Sequence, residues 1–128
     1  MRELLLIDDQ SKDLKHATEV AEELGFDKIH ARNSVDGARA LLEEGLAGKV
    51  SLPDGIVLDL DLGLDSGFEL LRMRHSTPRL AAIPLLVWSV VDEQREMCEL
   101  FKITFFVSKW DGIAAFREKL SQLVPSSI

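Results

Sequence analysis

The sequence has one cysteine, fewer basic than acidic residues and no long apolar run, and each of these features argues against a class of protein. Its single cysteine, Cys98, cannot form an intramolecular disulfide, so a reducing compartment such as the cytoplasm is expected. Fifteen Lys and Arg residues against 22 Asp and Glu give a net charge of -7, which argues against sequence-independent binding of nucleic acid. The N-terminal apolar run is too short for the core of a signal peptide, and no run is long enough to span a membrane.

What remains is the composition of one small domain. The chain has 128 residues, of which 46% are hydrophobic, and this is enough to build a single core. No internal repeat, low-complexity tract or interdomain linker interrupts the sequence. We therefore expect residues 1–128 to form one domain.

Four short apolar runs each lead to a polar residue that is capable of chemistry. Leu4–Ile7 leads to Asp8 and Asp9, and Gly55–Leu58 leads to Asp59. Leu85–Trp88 leads to Ser89, and Phe105–Val107 leads through Ser108 to Lys109. Such runs are typical of strands that are buried on both faces of a parallel sheet. Ligand sites in these sheets lie at the carboxyl ends of the strands. Three carboxylates, a hydroxyl and an ammonium should therefore converge on one pocket, a composition typical of metal-assisted phosphoryl transfer.

Segments with helical periodicity separate the runs, so that strand and helix alternate five times. We predict strands at Leu4–Ile7, Lys28–Ala31, Gly55–Leu58, Leu85–Trp88 and Thr104–Val107. We predict five helices. The first covers about residues 12–24, the second begins at Val35 and ends before a loop at 45–53, and the third begins at Phe68 and ends at the segment 78–84. The fourth covers about 92–100, and the fifth begins at Ile113 and is ended by Pro125. Right-handed crossovers would then give an α/β fold, a doubly wound parallel sheet with helices on both faces.

The order and spacing of these residues resemble the receiver domain of bacterial response regulators, the phosphoacceptor half of two-component signalling. The resemblance covers essentially the whole chain and implies a flavodoxin-like strand order, 2-1-3-4-5. It assigns the acidic pair to Asp8 and Asp9, the phosphoacceptor to Asp59, the switch hydroxyl to Ser89, the aromatic switch position to Phe106 and the site lysine to Lys109. Gly67 also follows the acceptor at the spacing of the family.

The resemblance implies Mg²⁺ as the cofactor. Asp9 and Asp59 would be direct ligands, Asp8 would hold a coordinated water, and the backbone carbonyl of Asp61 would be the third protein ligand. Clustered carboxylates repel one another unless a divalent cation lies between them, and Mg²⁺ prefers oxygen ligands. Asp59 would be the nucleophile that forms an acyl phosphate. Lys109 and Ser89 would contact oxygens of the phosphoryl group.

The resemblance also implies partners. A histidine kinase or a histidine phosphotransfer protein would supply the phosphoryl group, and the chain would catalyse only its own phosphorylation and dephosphorylation. Ser89 would then move toward the phosphoryl group and the Phe106 ring would rotate inward. The surface that changes, made of the predicted fourth helix, fifth strand and fifth helix, could receive a downstream output protein or a second copy of the chain. No output domain, nucleic-acid partner or membrane partner is expected.

Two other hypotheses account for part of the pattern. Asp59 and Asp61 also resemble the Asp-x-Asp motif of haloacid-dehalogenase-type phosphatases, although Gly63 stands where those enzymes carry Thr or Val, and their acidic pair lies downstream. Alternatively, the chain could be a receiver-fold interaction module that is never phosphorylated.

Two departures from the family pattern keep the second hypothesis open. Val90 follows the switch hydroxyl, where a smaller residue is common. Trp110 replaces the proline that usually follows the lysine, so the Lys109–Trp110 peptide is either trans or carries a cis cost of roughly 2.5–4 kcal/mol. We predict packing roles for both Trp88 and Trp110.

Overall fold

The computed structural model describes residues 2–63, 65–90 and 95–125. In chain order its elements are β1 (Glu3–Ile7), α1 (Ser11–Glu23), β2 (Lys28–Arg32), α2 (Val35–Leu46), β3 (Gly55–Leu58), β4 (Asp61–Leu62), β5 (Asp65–Ser66), α3 (Phe68–Ser76), α4 (Pro78–Ala81), β6 (Leu85–Ser89), α5 (Arg95–Leu100), β7 (Phe105–Ser108), a 3-10 turn (Lys109–Asp111) and α6 (Ile113–Leu123). None of the helices in the described ranges is long and apolar enough to cross a bilayer.

The five longer strands form one parallel sheet in the order β2-β1-β3-β6-β7. This is the predicted order 2-1-3-4-5, and the predicted fold class is confirmed. β1 and β3 pair in a register that places Ile7 opposite Leu58, so the two strands end side by side. Their carboxyl ends therefore deliver the residues that follow them to the same place.

The apolar runs form strands because both faces of the sheet are covered. All five residues of β1 are buried, and the side chains alternate between two cores. Leu5 and Ile7 belong to the core that also contains residues of α2, α3 and α5, whereas Leu4 and Leu6 belong to the core that contains residues of α1 and α6. A strand with helices on both sides has no solvated face, and this explains why β1 shows no polar alternation.

The helix and strand boundaries differ from the predictions by a few residues. α2 runs to Leu46, two residues into the predicted loop, and the last strand spans Phe105–Ser108 instead of beginning at Thr104. The segment between Pro78 and Pro84 contains the short helix α4, which begins at a proline as helices often do. The predicted start of the fourth helix at Asp92 lies outside the described residues.

The antiparallel pair β4–β5 was not predicted. It joins Asp61 to Ser66 and Leu62 to Asp65 immediately after β3. Two-residue strands are too short to show a period in the sequence, so no pattern could have indicated them.

Of the two tryptophans predicted to pack, only Trp88 does so. It is buried in β6, and its ring stacks on Phe116 of α6 with centroids 4.3 Å apart. Trp110 is 79% exposed, so its predicted packing role is wrong. It lies in the 3-10 turn that carries the chain away from the sheet after β7, and this turn leaves its ring in solvent.

Candidate functional site

The carboxyl edge of the sheet brings together the predicted site residues. Asp8 and Asp9 follow β1, Asp59 follows β3, Ser89 ends β6 and Lys109 follows β7. These four strands are neighbours in the sheet, so their ends lie next to one another. Backbone pairing continues past the strand end, because the N–H of Asp59 donates to the carbonyl of Ile7 at 2.9 Å.

Three carboxylates form the acidic part of the site. Asp8, Asp9 and Asp59 each offer one carboxylate oxygen, and these oxygens lie within 4.8 Å of one another. Asp8 and Asp59 are 4% exposed, whereas Asp9 is half-buried. Oxygen donors at this spacing fit a hard divalent cation such as Mg²⁺ or Mn²⁺.

Glycine at position 63 leaves room beside the carboxylates. Gly63 has a φ of +69°, and a Cβ at this position would lie 3.2 Å from Oδ2 of Asp9. A proline cannot adopt this φ, since its ring holds φ near -65°. A proline at position 63 would therefore require a different backbone path beside Asp9.

Asp59 is held at both of its carboxylate oxygens. The Ser89 hydroxyl, which is fully buried, donates to Oδ1 at 3.0 Å, and the backbone N–H of Asp61 donates to the same oxygen at 3.0 Å. The Lys109 ammonium donates to Oδ2 at 3.0 Å. These bonds fix the orientation of the carboxylate. The Asp61 side chain is itself exposed, and Asp61 contacts Asp59 only through this backbone N–H in the contacts described.

Lys109 lies among three carboxylates. Its Nζ donates to Asp8 at 2.6 Å, to Asp13 at 2.8 Å and to Asp59 at 3.0 Å. Burial by itself lowers the pKa of Lys109, but the hydrogen bonds to Asp13, Asp8 and Asp59 outweigh burial and raise it. The lysine is therefore a fixed positive charge in the site. It also lies 5.1 Å from the centroid of the Trp88 ring.

Burial raises the pKa of Asp8 to about 6. Hydrogen bonds from Lys109 and from the backbone N–H of Gln10 oppose this shift, and the nearby charge of Asp59 adds to it. Lys109 forms ion pairs with Asp8, Asp13 and Asp59, and the Asp9 carboxylate lies beside those of Asp8 and Asp59. The uncompensated negative charge favours a bound cation.

Gly67 lies close to the backbone at the end of β3. A Cβ at Gly67 would lie 2.7 Å from the Asp59 carbonyl oxygen and 2.9 Å from the Cα of Leu60. These are backbone atoms, so a side chain cannot be accommodated by rotamer changes. The glycine lets the start of α3 pack directly against the end of β3.

Phe106, the predicted aromatic switch, is the second residue of β7, two residues before the carboxyl end of the strand. It is half-buried and opposes Val87 in the pairing of β6 with β7. It also lines a cavity of about 530 Å³ between α5, β7 and α6, together with Cys98, Val107 and Lys119. The described residues contain no cis peptide, so the Lys109–Trp110 bond is trans.

Asp13 contacts Lys109 in the site but was not predicted from the sequence. It lies in the first turn of α1, and 96 positions separate it from Lys109. The sequence does place the Asp13 carboxylate four positions after Asp9, about one helical turn beyond the acidic pair. Acidic residues are common in first turns because they interact favourably with the helix dipole, so this signal was ambiguous.

Comparison with known proteins gives a structural match without a sequence match. No protein-family model and no curated protein sequence matches the chain. The Mn²⁺-bound form of response regulator Rcp1 superposes with a TM-score of 0.83 at 20% identity, covering 100% of this chain and 98% of that one. The phosphorylated cyanobacterial phytochrome response regulator RcpA superposes with a TM-score of 0.84 at 22% identity, covering 99% of this chain and 96% of that one.

A third structure has the same architecture. The signal receiver domain of the DNA-binding response regulator merR from Colwellia psychrerythraea 34H gives a TM-score of 0.81 at 21% identity, covering 98% of this chain and 100% of that one. The coverage in all three cases extends over nearly the whole of both chains. The chain therefore has the fold of response-regulator receiver domains.

Proposed function

We propose that this chain is a phosphoacceptor receiver of a two-component phosphorelay, with Asp59 as the acceptor. One observation carries the proposal. The buried Asp59 carboxylate is held by Ser89 at one oxygen and by Lys109 at the other, directly beside Asp8 and Asp9. A carboxylate, a hydroxyl and an ammonium arranged in this way are what the transfer of a phosphoryl group to an aspartate requires.

The chemistry is a displacement at phosphorus. A carboxylate oxygen of Asp59 attacks the phosphorus of a phosphohistidine, the P–N bond breaks as the P–O bond forms, and the imidazole leaves. Catalysis of this step is mainly positioning and neutralisation of charge. Lys109 and Ser89 already touch Asp59 and supply the donors for oxygens of the incoming group.

A divalent cation, which we take to be Mg²⁺, belongs to this proposal. Asp9 and Asp59 would bind it directly, Asp8 would bind through a water, and the backbone carbonyl of Asp61 would complete the protein ligands. When bound, the ion would neutralise the carboxylates and the negative charge of the phosphoryl oxygens. Two observations support this assignment: the oxygens that lie within 4.8 Å of one another, and the Mn²⁺ in the similarly folded Rcp1.

The phosphodonor in this proposal is a histidine kinase or a histidine phosphotransfer protein. The output surface consists of α5, β7 and α6, which are the predicted fourth helix, fifth strand and fifth helix. Its cavity of about 530 Å³, lined in part by Phe106, offers a place for a downstream protein or a second copy of the chain. We further propose a cytoplasmic location, which the single cysteine supports.

The geometry favours a receiver over a phosphatase of the haloacid-dehalogenase type. Those enzymes carry their acidic pair after the Asp-x-Asp motif, whereas Asp8 and Asp9, which lie beside Asp59, come before it in the chain. Here the Asp61 side chain is exposed, and it is the backbone N–H of Asp61 that contacts Asp59. We therefore propose that the chain turns over only its own acyl phosphate.

Labelling by a small phosphodonor tests this function. Acetyl phosphate with Mg²⁺ should add one phosphoryl group to the wild type, as measured by intact mass, and none to Asp59→Asn. Asp61→Asn is the matched control and should label normally. Equal labelling of wild type and Asp59→Asn would refute the acceptor assignment. Steady release of many equivalents of phosphate from a general phosphatase substrate would instead support the enzyme.

A further inference from the structure

We infer that Asp13 is a positioning residue for the phosphoryl-transfer reaction, one that holds the Lys109 ammonium with an N–H directed at Asp59. The inference rests on the proposed function, since it concerns how Lys109 reaches the phosphoryl group. It adds a residue that the sequence pattern did not assign to the site.

The first argument is the count of donors. An ammonium has three N–H groups, and those of Lys109 go to Asp8, Asp13 and Asp59. The bond to Asp59 is the longest of the three, at 3.0 Å against 2.6 Å and 2.8 Å. When Asp59 becomes an acyl phosphate it loses its charge, and the N–H that faces it becomes available to a phosphoryl oxygen. Asp8 and Asp13 then keep the ammonium in place.

The second argument separates Asp13 from Asp8. Asp8 belongs to the group of carboxylates that can hold a cation, so a bound cation would compete with Lys109 for its oxygens. Asp13 lies outside that group among the described residues. Its attraction for Lys109 therefore persists when a cation occupies the other carboxylates, and it opposes the repulsion between that cation and the ammonium.

The third argument is the position of Asp13 in the fold. It lies in the first turn of α1, whereas Lys109 begins the 3-10 turn after β7, so their contact joins two segments on the same edge of the sheet. The Lys109 side chain is 9% exposed and that of Asp13 is 29% exposed. Burial of the ammonium limits screening by water, while the partial exposure of Asp13 keeps its desolvation cost below that of Asp8.

The test begins with the metal-free protein. Nuclear magnetic resonance of the Lys109 ammonium measures the exchange of its protons with water, and this does not depend on phosphorylation. We expect faster exchange in Asp13→Asn, and recovery of most of the protection in Asp13→Glu, which restores the charge. Asp36→Asn is the matched control, because Asp36 also lies in the first turn of a helix, α2, but pairs with Arg39 instead of Lys109. It should leave the ammonium signal unchanged.

The second measurement is the rate at which acetyl phosphate labels Asp59 at saturating Mg²⁺. Because Asp13 is partly exposed, we expect Asp13→Asn to slow labelling about two- to fivefold, with no slowing in Asp36→Asn. A purely structural role for Asp13 would lower stability without changing ammonium exchange in the folded protein. Comparison of the amide spectra of the variants shows whether each one is folded.

Two results would overturn the inference: ammonium exchange in Asp13→Asn equal to that of the wild type, or labelling of Asp13→Asn as fast as or faster than that of the wild type. Failure of the proposed function would look different, because the wild type itself would not label. In that case faster ammonium exchange in Asp13→Asn would still support the positioning contact, and unchanged exchange would refute it.

Discussion

Asp8 shows how burial and function oppose each other in this site. Its carboxyl is almost fully buried, and burial raises its pKa to about 6 although Lys109 donates a hydrogen bond to it. An isolated domain gains nothing from such a group, because a neutral side chain of the same shape would avoid the desolvation cost. A carboxylate that must bind a cation has to retain its charge. The fold therefore carries an electrostatic cost that a bound cation would relieve.

The desolvation cost of the buried Asp8 carboxylate predicts that the effect of Asp8→Asn on stability depends on pH. Between the ordinary pKa of 3.8 and about 6, the folded state binds more protons at Asp8 than the unfolded state does. The contribution of Asp8 to the free energy of unfolding therefore falls as pH rises through this window, by at most about 3 kcal/mol. In metal-free buffer, Asp8→Asn should be more stable than wild type at pH 8, and the gain should shrink by pH 4.

Urea denaturation at the two pH values measures this difference. The exposed neighbour Asp61→Asn is the control and should show the same pH dependence as the wild type. If Asp8→Asn gives an equal change in stability at pH 4 and pH 8, the Asp8 carboxyl does not carry this cost.

The pairing of β6 with β7 connects the acceptor to the output surface. Ser89, which donates to Asp59, ends β6, and two residues earlier Val87 pairs with Phe106 of β7. Phe106 in turn lines the cavity between α5, β7 and α6. A movement of Ser89 toward a phosphoryl oxygen would thus act on the strand pair that carries Phe106. This connection is physical, because adjacent strands share backbone hydrogen bonds.

We predict that Ser89→Ala separates phosphorylation from switching. The variant should still accept a phosphoryl group on Asp59, because Lys109 and the cation remain. A hydrogen bond to a charged acceptor contributes roughly 1.5–3 kcal/mol, enough to change the ratio of two conformations about tenfold or more. Hydrogen exchange of amides in α5 and β7, with and without beryllofluoride, should change in the wild type and much less in Ser89→Ala.

Ser108→Ala is the matched control for this prediction. Ser108 pairs with Ser89 across the two strands and is also buried, but its hydroxyl accepts from the N–H of Trp110 and makes no described contact with Asp59. It should retain the response to beryllofluoride. A full response in Ser89→Ala would show that the switch does not depend on the Ser89 hydroxyl.

The molecule as a whole is acidic, and its charge is unevenly distributed. The net charge is -7, and Lys109 pairs with Asp8, Asp13 and Asp59 at the edge of the sheet where the Asp9 carboxylate also lies. Charge concentrated there acts on the stability of the entire domain, because β1, β3, β6 and β7 all end at this edge. A cation bound only by the folded state stabilises every element at once.

Mg²⁺ should therefore raise the melting temperature of the wild type. By mass action the gain is about 2.7 kcal/mol at a concentration one hundred times the dissociation constant. Asp9→Ala should melt higher than wild type without metal, because it removes like-charge repulsion, and should lose the response to Mg²⁺. Asp36→Ala, which removes a carboxylate outside this group, should keep the response. A response of Asp9→Ala equal to that of wild type would contradict the proposed ligand.

Local sequence patterns were sufficient for the sheet and for most of the site. Strands buried on both faces leave a clear apolar signature, and parallel strands with right-handed crossovers bring their carboxyl ends to one edge whatever the details of packing. The structure accordingly brings Asp8, Asp9, Asp59, Ser89 and Lys109 together, as predicted. Their chemical roles remain predictions for the experiments above.

Other features depend on contacts between residues that are distant in sequence. The bond between Asp13 and Lys109 spans 96 positions and requires both the start of α1 and the turn after β7. The exposure of Trp110 likewise follows from the path of that turn, and the need for glycine at Gly67 follows from its distance to the Asp59 carbonyl. Periodicity reports which side chains are buried and in which kind of element. It carries no information about which two surface segments meet, because this depends on turn geometry and side-chain rotamers that form only when the chain is packed.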